Sequence, residues 1–151
     1  MFCATFTVGI IGMKVTMWAL LGYIAWTAIL VFIIPSWRAW LTLSGERRSN
    51  SFSPSGADIS PQFERLCRAH ANCYENFPIF GGLLILALVT EMTHVTEGLA
   101  MYLLAARVVQ SCVHIASTSE MMVNLRFSLF YTQLVFAFIW VFGFIKEWVV
   151  W

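Results

Sequence analysis

Long apolar runs separated by short polar segments dominate the pattern of this chain. The first run, from Val15 to Trp37, contains no charged residue and is long enough to cross the roughly 30 Å hydrocarbon core of a bilayer. Three similar runs follow it. Together they predict helices at residues 14–40, 62–90, 98–117 and 122–147. Because two of the three connections are short, we expect an all-α, up-down bundle of four transmembrane helices.

Composition agrees with a membrane protein. Of the 151 residues, 60% are hydrophobic and 11% are charged, whereas soluble domains carry about 25% charged residues. One soluble core of this size would bury only part of so much apolar surface. The net charge of +1 gives no indication of a nucleic-acid partner. We therefore expect a single transmembrane domain over residues 1–151, in contact with membrane lipids.

The charges suggest an orientation. Residues 41–61 are rich in Ser, Gly and Pro and predict a loop. Arginines in this loop and its flanks are Arg38, Arg47, Arg48, Arg65 and Arg68. The turn at 91–97 has glutamates but no Lys or Arg, so positive charge predicts a cytoplasmic loop and both termini on the opposite side. Short loops and the lack of an evident targeting signal favour a bacterial inner membrane.

Ionisable residues inside the second predicted helix follow one stripe. Arg68, Asn72 and Glu75 stand at i, i+4 and i+7, which places them within an arc of about 60°. Charged groups within membrane helices are costly and usually face the bundle interior or a water-filled cavity. This stripe is therefore a candidate binding surface.

The third and fourth helices carry matching stripes. Arg107, Gln110 and His114 stand at i, i+3 and i+7, and Arg126 shares a face with Gln133. In an up-down bundle the second helix begins, the third ends and the fourth begins on one side of the membrane. We therefore expect the three stripes to meet at a similar depth and to form a site.

The charge of this predicted site favours an anion. Three arginines (Arg68, Arg107 and Arg126) accompany one glutamate (Glu75). A guanidinium group presents paired donors that suit a carboxylate, while the glutamate is free to accept from an ammonium group. In the alternative interpretation, Arg–Glu pairs are structural clamps, and arginines near the helix start extend to lipid headgroups.

A metal site is not expected. Glu91 and His94 match half of a di-iron E-x-x-H motif, but a carboxylate di-iron site needs two such motifs and further glutamates.

The segment from Glu64 to Pro78 has the form E-R-x-x-R-A-H-x-N-x-x-E-N-x-P. It resembles the second-helix signature of the MAPEG superfamily, the membrane-associated proteins in eicosanoid and glutathione metabolism, and especially its microsomal glutathione transferase branch. The run N-C-x-E-x-F-P-x-F from Asn72 to Phe80 also resembles leukotriene C4 synthase. Length, helix number and the polar first loop are similar to that family as well.

This resemblance implies a homotrimer that binds glutathione between neighbouring subunits, near the cytoplasmic side. It implies that Arg126, at the start of the fourth helix, activates the glutathione thiol. The implied glutathione-binding residues are Arg38, Arg68, Asn72, Glu75, Arg107, Gln110, His114 and Tyr131. The expected activity is a glutathione-dependent transferase or peroxidase that acts on lipophilic electrophiles or lipid hydroperoxides.

The sequence also departs from the family pattern. Where many members carry a Tyr one turn after the third-helix Gln or His, this chain has His114, and a second Arg of the prostaglandin E synthase branch is replaced by Ala71. One family branch binds lipid and assists an enzyme without catalysis. The alternative function is therefore a non-catalytic lipid-binding or scaffold subunit of a larger membrane complex.

Overall fold

The computed structural model describes the backbone of residues 2–149 and the side chains of residues 15–149. Within these limits the chain forms four long helices and no β-strand. They are α1 (Phe2–Leu43), α2 (Pro61–Val89), α3 (Glu97–Ala116) and α4 (Glu120–Val149), with one turn of 3-10 helix at Thr93–Val95. All four are long and apolar enough to cross a membrane, so the prediction of an all-helical integral membrane protein is confirmed.

The bounds of α2, α3 and α4 lie within two residues of the predicted positions. Helix α1 is longer than predicted. It begins at Phe2 rather than residue 14 and continues past residue 40 to Leu43. Pro35 lies inside α1 without ending it. The next glycine along the chain is Gly45, which lies just after the end of α1.

Local sequence fixes the two helix ends that flank the first loop. At the end of α1, Gly45 adopts a φ of 78°, and the amide of Glu46 donates to the carbonyl of Leu41 at 3.1 Å. This is a Schellman arrangement, which glycine favours because it lacks a Cβ atom. At the start of α2, the Ser60 hydroxyl accepts from the amide of Phe63 at 3.1 Å, as an N-capping serine does.

All four helices contribute residues to the bundle core, and α4 packs chiefly against α3. Its largest fully buried side chains include Tyr23, Leu30, Phe80, Leu103 and Trp140. The outward faces carry exposed aliphatic and aromatic side chains, which suits a hydrocarbon environment. Here we call the end where α1 ends, α2 begins, α3 ends and α4 begins the loop end, and the opposite end the far end.

Two arginines hold the 44–60 loop against the bundle. Arg38, on α1, donates from Nη2 to the carbonyl of Ser53 at 2.8 Å. Arg47 forms an ion pair with Asp58 and also donates to its carbonyl at 2.7 Å. The ring of Phe52 lies between the two guanidinium groups, 5.7 Å from that of Arg38 and 5.8 Å from that of Arg47. The 44–60 loop is therefore ordered by these contacts and attached to the end of α1.

Loop order should depend on the ionisation of Asp58. Partial desolvation raises the pKa of this carboxyl, but the hydrogen bond from Arg47 and backbone donors outweigh it and hold the pKa below its ordinary value of 3.8. Because the pKa of Asp58 is lower in the folded loop, ionised Asp58 stabilises that loop at pH values above 3.8. This stabilisation is lost as the pH falls through the pKa of Asp58 in the folded protein. We expect Asp58→Asn to speed amide hydrogen exchange across residues 44–60 at neutral pH, and acidification to have the same effect on the wild type.

The matched control is Glu46→Gln, because the Glu46 carboxylate is exposed and accepts only a 3.3 Å bond from Ser44. Equal exchange in the Asp58→Asn and Glu46→Gln proteins would contradict the assigned role of the ion pair.

Candidate functional site

A polar cavity of about 390 Å³ opens at the loop end of the bundle. Arg65 and Arg68 from α2, His114 from α3 and Arg126 from α4 line it, together with Glu64. We call it the arginine cavity. Three helices therefore supply its polar groups, as the up-down order of the chain predicts.

The α2 side of the arginine cavity is fixed by two interactions. Arg65 donates from Nε to the carbonyl of Ile115 at 2.9 Å, where it meets the partly negative C-terminal end of α3. One turn later, Arg68 pairs with Glu64 at 3.1 Å. The Arg68 side chain is 69% exposed, so its pairing contributes little stability and leaves the guanidinium free to exchange partners.

The charge of the arginine cavity is positive. Three guanidinium groups face one carboxylate, and that carboxylate is the partner of Arg68. A cavity that holds surplus guanidinium groups near a low-dielectric membrane span attracts anions, above all carboxylates that accept two parallel hydrogen bonds.

A second polar cluster lies in the interior of the bundle. Arg107 is fully buried and donates from Nη1 to the side chain of Asn72 at 2.5 Å and to its carbonyl at 3.3 Å. The guanidinium carbon lies 4.9 Å from the ring centre of Phe80 and 5.5 Å from that of Tyr23. Among the described residues no carboxylate lies within salt-bridge distance of Arg107. Asn72 and two aromatic faces therefore carry most of its stabilisation.

A third cluster links α3 to α4 at the backbone of the cavity residue Arg126. Gln133 is fully buried and donates from Nε2 to Gln110 Oε1 at 3.0 Å. Gln110, also buried, donates in turn to the main-chain carbonyl of Arg126 at 3.3 Å. Arg126 thus presents its side chain to the cavity while its backbone is bonded to α3.

The comparison with protein-family models decides the classification, because residues 15–145 match the MAPEG family. The chain belongs to the MAPEG family. Its members are membrane proteins associated with glutathione and eicosanoid metabolism. Comparison with curated proteins and with solved structures finds no match to this chain.

The structure of this MAPEG chain brings three of the nine site residues predicted from sequence together in one cavity. Arg68, His114 and Arg126 share the arginine cavity. Arg107 bonds to Asn72, and Gln110 reaches the backbone of the cavity residue Arg126. Asn72, Arg107 and Gln110, however, do not line the arginine cavity.

Arg38, Glu75 and Tyr131 do not reach the arginine cavity within one chain. Arg38 bonds to the loop carbonyl of Ser53. Glu75 is exposed on the outer face of α2. Tyr131 is 56% exposed and packs on Phe127, with ring centres 5.0 Å apart. For Glu75 the physical reason is the rotation of α2: the stripe of about 60° is wide enough that Asn72 at one edge contacts α3 while Glu75 at the other edge faces outward.

Sequence reasoning missed several members of the buried cluster. Ser111 donates to the carbonyl of Arg107 at 2.9 Å and lies 3.3 Å from the sulfur of Cys73. The hydroxyl of Tyr23 donates to the carbonyl of Cys73 at 2.9 Å. The spacing of Ser111 one turn after Arg107 was a usable signal, but no pattern in α1 marks Tyr23.

Two other features are not part of the arginine cavity. His94 lies 3.5 Å from Glu147 at the far end, and the described part of the chain contains no group of three or more His, Cys, Asp or Glu placed to hold a metal ion. An apolar cavity of about 460 Å³ lies between α1, α2 and α3 at the loop end, lined by Trp26, Trp37 and Ile115 among others.

The bond between Arg107 and Asn72 should be essential for stability. Asn72→Leu leaves a buried guanidinium without its main acceptor, which should lower the free energy of unfolding by about 1–3 kcal/mol. Adding Arg107→Met to this variant should recover much of the loss, since no buried charge then lacks a partner. Thermal unfolding in detergent measures both changes.

Asn76→Leu is the matched control, because the Asn76 side chain donates only to the α2 backbone, at 2.8 Å from the Asn72 carbonyl. An equal loss of stability in the Asn72→Leu and Asn76→Leu proteins would show that Arg107 does not depend on the Asn72 side chain.

Proposed function

We propose that this protein is a glutathione-dependent membrane transferase or peroxidase whose site is the arginine cavity. The observation that carries the proposal is the convergence of Arg65, Arg68 and Arg126 on one cavity with a single carboxylate. Glutathione has two carboxylates, one ammonium group and one thiol. It therefore presents the anionic groups that this cavity favours.

Each side of the arginine cavity has a different role in this proposal. Arg65 and Arg68 bind a glutathione carboxylate, since both are anchored on α2 and face the cavity. Arg126 stands on α4 across the cavity and lies near the sulfur. A guanidinium group close to a thiol lowers the thiol pKa and favours the nucleophilic thiolate. His114, on α3, offers a further hydrogen-bond partner.

The reaction follows from the thiolate. In transfer, the sulfur lone pair forms a bond to an electrophilic carbon, and the electron pair of the broken bond leaves with a group that then takes up a proton. In peroxide reduction, the sulfur attacks the terminal oxygen of a lipid hydroperoxide, the O–O bond breaks, and the lipid leaves as an alkoxide that takes up a proton to become an alcohol. The thiol of a second glutathione then attacks the sulfur of the resulting sulfenic acid, which forms the disulfide and releases water. Lipophilic substrates reach the site from the bilayer, and the apolar cavity beside α1 gives them a surface to occupy.

A shared site in a homotrimer accounts for the residues that one chain leaves outside the cavity. Glu75 is exposed on a membrane-spanning helix, where a carboxylate facing lipid would be costly. We propose that Glu75 meets the arginine cavity of a neighbouring copy. There Glu75 accepts from the glutathione ammonium group. We also propose that the loop end faces the cytoplasm, which the arginines around it support.

Glutathione added to the purified protein should give the ultraviolet absorbance band of a thiolate at neutral pH. Arg126→Ala should abolish the band and lower kcat/KM at least about tenfold, because one pKa unit of the thiol changes the thiolate fraction by that factor. Difference absorbance and a conjugation assay with a lipophilic electrophile measure the two effects.

Arg48→Ala is the control for this experiment, since Arg48 is an exposed loop residue that does not line the cavity. Absence of glutathione binding by the wild type at millimolar concentration would contradict the proposal and favour a non-catalytic role.

Mixed oligomers should test whether the site is shared. Arg126→Ala and Glu75→Gln are each expected to reduce activity, but co-expression of the two variants should restore part of it. Mixed trimers contain interfaces where one chain supplies Arg126 and its neighbour supplies Glu75. Arg68→Ala mixed with Arg126→Ala should not recover, because both residues line the cavity of one chain.

Recovery in both mixtures, or in neither, would contradict the proposed division between neighbours. Native mass spectrometry of the same samples should show three copies of the chain, and a monomer would contradict the trimer.

A further inference from the structure

The buried glutamine pair connects the interior of the bundle to Arg126. Gln133 donates to Gln110 at 3.0 Å and to the carbonyl of Leu129 at 2.9 Å. Gln110 donates to the carbonyl of Arg126 at 3.3 Å. The bonds therefore run from the second turn after Arg126 through α3 and back to Arg126 itself. We call this chain of bonds the glutamine relay.

The relay lies in a place where polar side chains have few alternatives. Gln133 is fully buried and Gln110 is 5% exposed, and both lie on membrane-spanning helices. A side-chain amide in such surroundings stays bonded to the partners that the fold supplies. The relay is thus a fixed polar connection between α3 and the first part of α4.

Neither glutamine lines the arginine cavity. The relay holds the backbone of Arg126, while the Arg126 side chain points into the cavity. Rotation of α4 about its axis would carry the guanidinium group across the cavity. The bond from Gln110 to the Arg126 carbonyl restrains that rotation at the residue whose side chain enters the cavity.

We propose that Gln110 and Gln133 are positioning residues that hold Arg126 at the distance from the glutathione sulfur that favours the thiolate. This inference rests on the proposed function, and it replaces the role of Gln110 as a direct glutathione ligand. Stabilisation of a thiolate by a guanidinium group depends steeply on their separation. Carboxylate binding, in contrast, belongs to Arg65 and Arg68 on α2, which the relay does not contact.

The test is a pH titration of the thiolate band at saturating glutathione, combined with steady-state kinetics. Gln110→Met removes the two relay bonds that involve Gln110, at nearly constant volume. We expect the midpoint of the titration to rise by about one pH unit and kcat to fall about tenfold at neutral pH. KM for glutathione should stay within about twofold, since the carboxylate contacts are intact.

A second variant separates the two bonds. Gln133→Met leaves the bond from Gln110 to Arg126 and should give a smaller shift in the same direction. The double variant should equal Gln110→Met alone, because residues that act through one network are not additive. If the Gln110→Met protein does not fold, the Gln133→Met protein provides the test. A thiolate titration midpoint equal to that of the wild type would then overturn the inference.

Thr16→Val is the matched structural control. Thr16 is fully buried and forms a 3.0 Å side-chain hydrogen bond with Thr96, but this pair lies at the far end of the bundle. The control should lower stability without moving the titration midpoint.

The outcomes distinguish the inference from the function on which it rests. A thiolate band in the wild type that is unchanged in Gln110→Met overturns the inference alone. A midpoint that shifts equally in Gln110→Met and Thr16→Val shows a general structural effect and also overturns it. A wild type that binds glutathione without forming any thiolate band overturns the proposed function together with the inference.

Discussion

A guanidinium group inside a membrane protein needs hydrogen-bond acceptors, and Asn72 supplies two of them to Nη1 of Arg107. Nε and Nη2 of Arg107 have no hydrogen-bond partner among the described residues. The contact with Asn72 joins α3 to α2 in the middle of the bundle, where Arg107 has no exposed surface. Aromatic faces of Tyr23 and Phe80 complete its surroundings. Since removing water from a charge is costly, the packing of α1, α2 and α3 around this one side chain is strongly specified. The orientation of α2 and α3 at the loop end follows from it.

The arginines of the loop end are in a different situation. Arg65, Arg68 and Arg126 keep access to solvent through the arginine cavity and share one carboxylate among them. A soluble anion can therefore reach their guanidinium groups, whereas the guanidinium group of Arg107 is fully buried. This contrast separates a group that stabilises the fold from groups that are available to a ligand. It is the physical basis for assigning the anion site to the loop end rather than to the buried cluster.

Much of this architecture could be predicted from the sequence, because hydrophobic runs in a membrane protein determine both the number and the length of the helices. The convergence of α2, α3 and α4 residues at one end also follows, since an up-down order fixes which helix ends are neighbours. Helix rotation could not be predicted to the same precision. The stripe of Arg68, Asn72 and Glu75 divides between a cavity, a buried cluster and an outer face. Periodicity places residues on a face without naming the neighbour that the face contacts.

A structure determined with glutathione in a lipid environment would test the proposed glutathione site in the arginine cavity. We expect density for the tripeptide in the cavity, with a carboxylate on Arg65 or Arg68 and the sulfur beside Arg126, and with Glu75 of a neighbouring copy near the ammonium group. Glutathione bound elsewhere, or a cavity filled by the protein's own loop in the presence of saturating glutathione, would contradict it.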